Sequence, residues 1–550
     1  MISWFRLHFK AILYFIFAMI LFFGIVSWIF LTYFYEDILN KYAVPKLEEA
    51  ALTATNGYYH LKLGRISYQN HTVWCRQFDL QRVRYDSGAK GVALKRVFID
   101  SLEITGVSLW RILLGKGLAM KSIQMDSPLV FMADLSKEQP TPRDLSADSI
   151  RIVSAVLRKL PVISFDIIAL RNIQLHLAGS PNPTDVPSFK GIHFRLTNFS
   201  FNSETKEAQP VLFSKRADIW IPNVAYPVGD GSHSLVFKNL HGNSEDSVIT
   251  ADHFGFEPNY SEDAFAAHYK YAQARLDFRA DGIRFEGMNF VSSFSKGNLV
   301  FRKFSVSSWS FDSYKDYRRP EDPHTSMAIM PNDLISSLPV KIDVDSFILR
   351  NGRIKIRERD TNASGSLGFE QANLIISPIS KDTMSKNYKL PARIWMSASF
   401  LGALLAATAT YPLHEKNFNL DLHATVGSFA GSKLNSWLVP LNRLEVKTGE
   451  LKSGKIEMSI RSGTATTSVV AVYDNFEISI LSQDKKKARS LMDKIKTFVA
   501  ETFIIHDGNP GKSGLKTGVT TLSHTPNEEF MQFIWYAIRK SLGQVIGGFQ

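Results

Sequence analysis

A chain of 550 residues, 45% hydrophobic and 21% charged, has room for about three or four domains or one long repetitive one, and enough apolar material to exclude wholesale disorder. Its net charge of +12 is spread along the sequence and not gathered into long blocks, which suits a place near anionic lipid at least as well as a grip on nucleic acid. The single cysteine, Cys75, excludes an intrachain disulfide and a Cys-based zinc site.

Residues 1–10 carry Arg6 and Lys10, and the following residues 11–35 carry no charge. At 1.5 Å per residue, about 20 residues cross a hydrocarbon core of ~30 Å, so a transmembrane helix is expected over residues 11–33. Trp28, Tyr33 and Tyr35 stand toward its far end, where aromatic rings favour the headgroup level. Basic residues before it and Glu36-Asp37 after it make residues 1–10 a cytoplasmic tail and send the bulk across the membrane. The run is too long for a cleaved signal peptide and no small-x-small site follows it. A second run of this kind is missing, so a single-pass topology is expected. Residues 34–60 read as a juxtamembrane segment with a short helix over 45–52 that stops near Asn56-Gly57.

From there the dominant period is two. A first β segment is expected over 61–135, a second over 161–338 and a third over 339–481. Apolar residues alternate with polar ones at Ile342 and Val344, Ile354 and Ile356, Phe418, Leu420 and Leu422, Ile456 and Met458, and Phe476 and Ile478. Successive strand residues point to opposite faces, so these residues would share one apolar face while the other meets water. Turns are expected at Arg350-Asn351-Gly352 and Lys452-Ser453-Gly454. Antiparallel meanders are the natural product.

Helical spacing interrupts the strands three times. Residues 136–160 form an expected helical insertion, with Ile150, Val153, Val156, Leu157 and Leu160 on one face. Residues 482–550 are expected to hold two helices, over 485–503 and 527–546, with a loop between them. An internal repeat is also visible: Pro161-Val162 and Pro339-Val340 each open a stretch that reaches an Arg-Asn pair flanked by alternating residues. Two strands joined at a tight turn would make its unit, and repetition of a short β unit argues for an elongated fold.

Catalytic patterns are wanting. Gly511-Lys512-Ser513 lacks the glycine five positions earlier that a phosphate-binding loop requires, that place being His506. The 14 histidines show no ligand spacing; His176 and His423 are expected to be solvated on the polar side of strands. Cys75 is expected to be a small buried hydrophobe. The expectation is a non-enzyme without metal or cofactor.

The segments Leu61-Lys62-Leu63-Gly64-Arg65-Ile66 and Ile123-Gln124-Met125-Asp126-Ser127-Pro128-Leu129-Val130-Phe131 are similar to those of the AsmA-like envelope proteins of Gram-negative bacteria. So is the stretch 343–358 continued by Gly365-Ser366-Leu367-Gly368-Phe369, and so is 449–456 leading into 472–478. The resemblance is diffuse and covers most of residues 1–481. It implies a mainly β fold, an elongated and twisted antiparallel groove behind one transmembrane helix. It further implies inner-membrane anchoring with the bulk in the periplasm, and phospholipid as the carried partner between membranes. Outer-membrane or other envelope proteins are further candidate partners, nucleic acid is not, and no catalytic residue carries over. One-sided strands alone build closed sandwiches as readily as open troughs; the resemblance favours the trough, with a scaffold for outer-membrane proteins as the alternative role.

Overall fold

The computed structural model describes residues 19, 40–41, 44–55, 57–85, 92–107, 118–134, 163–177, 189–201, 213–292, 298–320, 322, 330–338, 341–360, 363–415, 418–442, 444–481, 508–512, 514–525, 528 and 530–547. The expected cytoplasmic tail, the helical insertion over 136–160 and the helix over 485–503 lie outside them. Of the expected span 11–33 only Met19 is described, helical and buried. Among the described residues no helix is long and apolar enough to cross a membrane.

The fold is mainly β, and among the described residues 24 strands join one antiparallel-rich sheet. In chain order come helix α1 (Val44–Ala54) and strands β1 (Tyr59–Leu63), β2 (Ile66–Gln69), β3 (Thr72–Arg82), β4 (Val92–Thr105), β5 (Leu118–Asp126), β6 (Leu129–Asp134), β7 (Ile163–His176), β8 (Phe189–Phe201), β9 (Ser214–Val228), β10 (His233–Asn243) and β11 (Val248–Pro258). After helix α2 (Glu262–His268) follow β12 (Ala274–Glu286), β13 (Leu299–Val306), β14 (Ser308–Asp316), helix α3 (Pro331–Ser337), β15 (Ile342–Asp360), β16 (Ala363–Ser377), β17 (Ile379–Ser380), β18 (Ala392–Phe400), β19 (Ala403–Tyr411), β20 (Leu420–Val426) and β21 (Phe429–Ala430). Helix α4 (Asn435–Asn442), β22 (Leu444–Arg461), β23 (Thr464–Ile480), β24 (Gly518–Ser523) and helix α5 (Phe530–Ile546) complete the order. The chain divides into two compact units. The first comprises Met1–Tyr226, Phe237–Asp252 and Glu286–Val300; the second comprises Pro227–Val236, His253–Phe285 and Phe301–Gln550.

In the first unit α1 ends as its sequence suggests. Gly57, at φ +74°, donates its N–H to the Leu52 carbonyl at 2.8 Å and so closes the last turn. Strand β3 pairs antiparallel with β4, and β8 pairs antiparallel with both β7 and β9, while β7 runs parallel to β5 and β6. One face is packed solid: Ile99, Leu102, Ile123, Met125, Ile168 and Leu196 share a buried cluster, and Ile123 is 0% exposed.

In the second unit β15, β16, β18, β19, β20, β22, β23 and β24 pair antiparallel in succession, and β15 runs parallel to β14. The two related stretches do not form the expected hairpin. Asn172 and Asn351 adopt φ values of 52° and 50°, yet β7 and β15 continue through them with shifts of register. A short polar side chain tolerates the left-handed region, and here it makes a bulge that bends one long strand. Gly352 serves contact instead of turning: a Cβ there would stand 2.1 Å from the Trp309 ring. Likewise 452–454 lies inside β22, at a register shift between Leu451 and Ser453. Strands β7 and β15 share a parallel pairing as well as the bulge, β7 through Ile163–Arg171 beside β5 and β15 through Gly352–Arg359 beside β14.

The loop before β24 is anchored. Asn509 is buried, exchanges backbone hydrogen bonds with Tyr473, and donates its amide to the carbonyls of Ala471 and Lys516. Helix α5 lies against β23 and β24 and buries Phe533, Ile534 and Ala537. His176 corrects its expectation: it is buried and stacked on Phe131 at 4.4 Å, because β7 turns that side chain inward. His423 is exposed, and Cys75 is buried.

Candidate apolar binding face

In the second unit the register assembles one apolar row. Phe278 of β12 stands opposite Phe311 of β14, Phe311 beside Ile354 of β15, Ile354 opposite Phe369 of β16, and Phe369 opposite Phe400 of β18. Residues paired across strands share a face. Five strands at ~4.8 Å spacing give a row about 19 Å long. Phe254 extends it on one side, 6.0 Å from Phe278 between ring centroids, and Phe429 on the other, 5.8 Å from Phe400. The Phe369 and Phe400 rings stack at 5.0 Å. Phe254, Phe278, Phe311, Ile354, Phe369 and Phe400 are each half-buried, so these rings keep part of their surface open.

A parallel band follows on the same face: Leu374, Met396, Ala407, Ala424 and Ile456 align through successive pairings. Met396 is 36% exposed, although its strand neighbours Ala392 and Ala398 are buried. Both ends of the face carry cover. Trp437 and Leu441 of α4 approach Gly365, and Phe533, Ile534 and Ala537 of α5 close over Leu420, Met458, Ile460 and Ala465.

The candidate residues therefore divide. Ile354 and Ile356 lie on the half-open face, with Ile356 opposite Leu367. Ile456 belongs to the parallel band. Phe418, Leu420 and Met458 are buried in the cluster beneath α5, and Leu422 packs against it. Val344 is buried opposite Ile379, with Ile342 half-buried two residues before it. Phe476 fills the space left by Gly431 and Gly449, and Ile478 pairs with buried Val446. Sequence reasoning missed Phe278, Phe311, Phe369 and Phe400. Phe278 and Phe311 stand in runs rich in charge or serine, Phe369 between Gly368 and Glu370, and Phe400 at the head of the small apolar run Leu401-Gly402-Ala403, so their alignment shows only once the register is known.

The opposite face is ionic. Arg357 pairs with Asp312 at 3.0 Å and with Glu262 of α2, while Arg359 and Arg318 both reach Asp263. These bonds fix α2 to the polar side and leave the aromatic row clear of it. One carboxyl breaks the separation: Glu358 shares the face of Ile354 and Ile356, and burial raises its proton affinity, with Lys315 opposite in register working against that rise. Among the described residues no cluster of His, Cys, Asp and Glu could hold a metal ion. Neither protein-family models nor curated protein sequences match this chain.

Proposed function

We propose that the protein is an AsmA-like, non-catalytic envelope protein. It is anchored in the inner membrane by residues 11–33, with the rest in the periplasm, and it carries phospholipid acyl chains in an apolar β-groove. The observation that supports this reading is the half-open row Phe278, Phe311, Ile354, Phe369 and Phe400 on one sheet face, with an ionic face behind it. Each CH2 kept from water is worth ~0.8 kcal/mol, so a lipid with about 30 such groups faces a cost of order 20 kcal/mol on leaving a bilayer. A continuous apolar surface lowers that cost while headgroups stay in water. The described apolar residues of the first unit form a packed cluster, so the proposal concerns the half-open row of the second unit. The test is solvent extraction of the full-length protein purified from cells. Phospholipid should be recovered in stoichiometric amount; recovery no higher than from a solid-core membrane protein handled in parallel overturns the proposal.

A scaffold for envelope proteins is the second reading. It is favoured by Met531 and Trp535, one turn apart on the outward side of α5 and 70% and 52% exposed. Photo-crosslinkers at these two positions should then trap protein and not lipid.

A further inference from the structure

The first unit carries a cleft of about 620 Å³ on the face turned away from its packed cluster. Gln124 of β5, Ala169 of β7, Arg195 of β8 and Asp218 of β9 form one cross-strand row. The short side chain of Ala169 between longer neighbours makes the dip. Beside it, His193 and Trp220 pair across β8 and β9 with ring centroids 4.9 Å apart, and Trp220 is 41% exposed. Lys121, Arg171 and Arg195 line the cleft, and among the described residues none of the three forms an ion pair with a carboxylate. Of the two lining carboxylates, Asp218 is already held by both arms of Arg216 at 2.7 and 2.8 Å, which leaves Asp166. Three uncommitted cations thus face one uncommitted anion beside a flat aromatic platform.

We propose that this cleft binds a small organic anion that carries a planar ring next to a phosphate or carboxylate. The guanidinium groups supply the planar, forked donors that such anions accept. The Trp220 ring supplies apolar contact for the ring, and a cleft of this size lies within the range of small-molecule sites. The site is built wholly from residues of the first unit and does not depend on the lipid reading.

Calorimetric titration of the full-length protein with phenyl phosphate and with inorganic phosphate tests it. Phenyl phosphate should bind at least tenfold more tightly. Arg195→Gln should weaken both anions several-fold, and Trp220→Leu should erase most of the preference for phenyl phosphate. Arg393→Gln, an equal charge change in the second unit, should alter neither. Should Trp220→Leu fail to fold, the Arg195→Gln and Arg393→Gln pair decides. No measurable binding, equal affinity for the two anions, or equal effects of Arg195→Gln and Arg393→Gln overturn the proposal.

Discussion

Cys75 is 1% exposed, and burial pushes its thiol up to about 12. A protonated, enclosed thiol is neither a nucleophile nor a ready target for oxidation. An aromatic disulfide reagent at pH 8 should therefore leave the native protein unlabelled and modify one thiol in denaturant; rapid native labelling would contradict the burial. Glu358 offers a test of charge. Unfolded, it ionises in the ordinary carboxylate range; folded, burial holds the proton to higher pH. Between the two the folded state binds more protons, so stability falls as pH rises through that window, and above it the ionised carboxylate is a cost. Glu358→Gln should stabilise the fold at pH 7.5 by less than about 1 kcal/mol, given partial solvent screening and Lys315 opposite, and should not do so at pH 4, as melting curves at the two pH values would show. At this scale the sequence was legible for apolar alternation, as at Ile354 and Ile356. It misled at Asn172 and Asn351, because a residue suited to the left-handed region serves a bulge as well as a turn, and only the partner strand decides which.

Among the elements, α5 was readable in advance, since its apolar residues recur at helical spacing and Phe533, Ile534 and Ala537 are the ones it buries. What those residues cover was not readable, because the partners Leu420, Met458 and Ile460 lie 70 or more positions earlier and look like groove residues by alternation alone. Phe533 is 0% exposed; Phe533→Ala should cost about 3–5 kcal/mol, measured by denaturant unfolding. A loss below about 1 kcal/mol would mean that the helix is a loose appendage. The parallel pairings of β7 and β15 were equally hidden, since pairing direction leaves no mark on a single strand. The Pro-Val openings showed that the two strands are related, not how they dock.

For the whole molecule, the two faces carry different expectations. In the second unit, Ile354→Asp places a charge where water has access, so the protein should fold, with a far-UV spectrum like the parent's, while co-purified phospholipid falls at least several-fold. In the first unit, Ile123→Asp buries an unpaired charge at a position with 0% exposure, and folding should fail. Equal collapse in both variants would argue for a filled interior throughout. The mainly β architecture was legible because a period of two persists over hundreds of residues. The division into a packed and a half-open face was not, because an inward Ile reads the same whether its neighbour is another side chain or a solvent-filled trough.

Strand β24 shows how one margin of the sheet in the second unit is covered. On the side of β24 away from β23, Gln544 accepts the Val519 N–H at 2.8 Å and Lys540 donates to the Thr521 carbonyl at 3.0 Å. Two side chains of α5 thus occupy the backbone positions that another chain would need for pairing, which protects the margin of the sheet from accretion. Removal of residues 526–550 should bring on concentration-dependent self-association, visible by light scattering and reversible on adding the excised helix as a peptide.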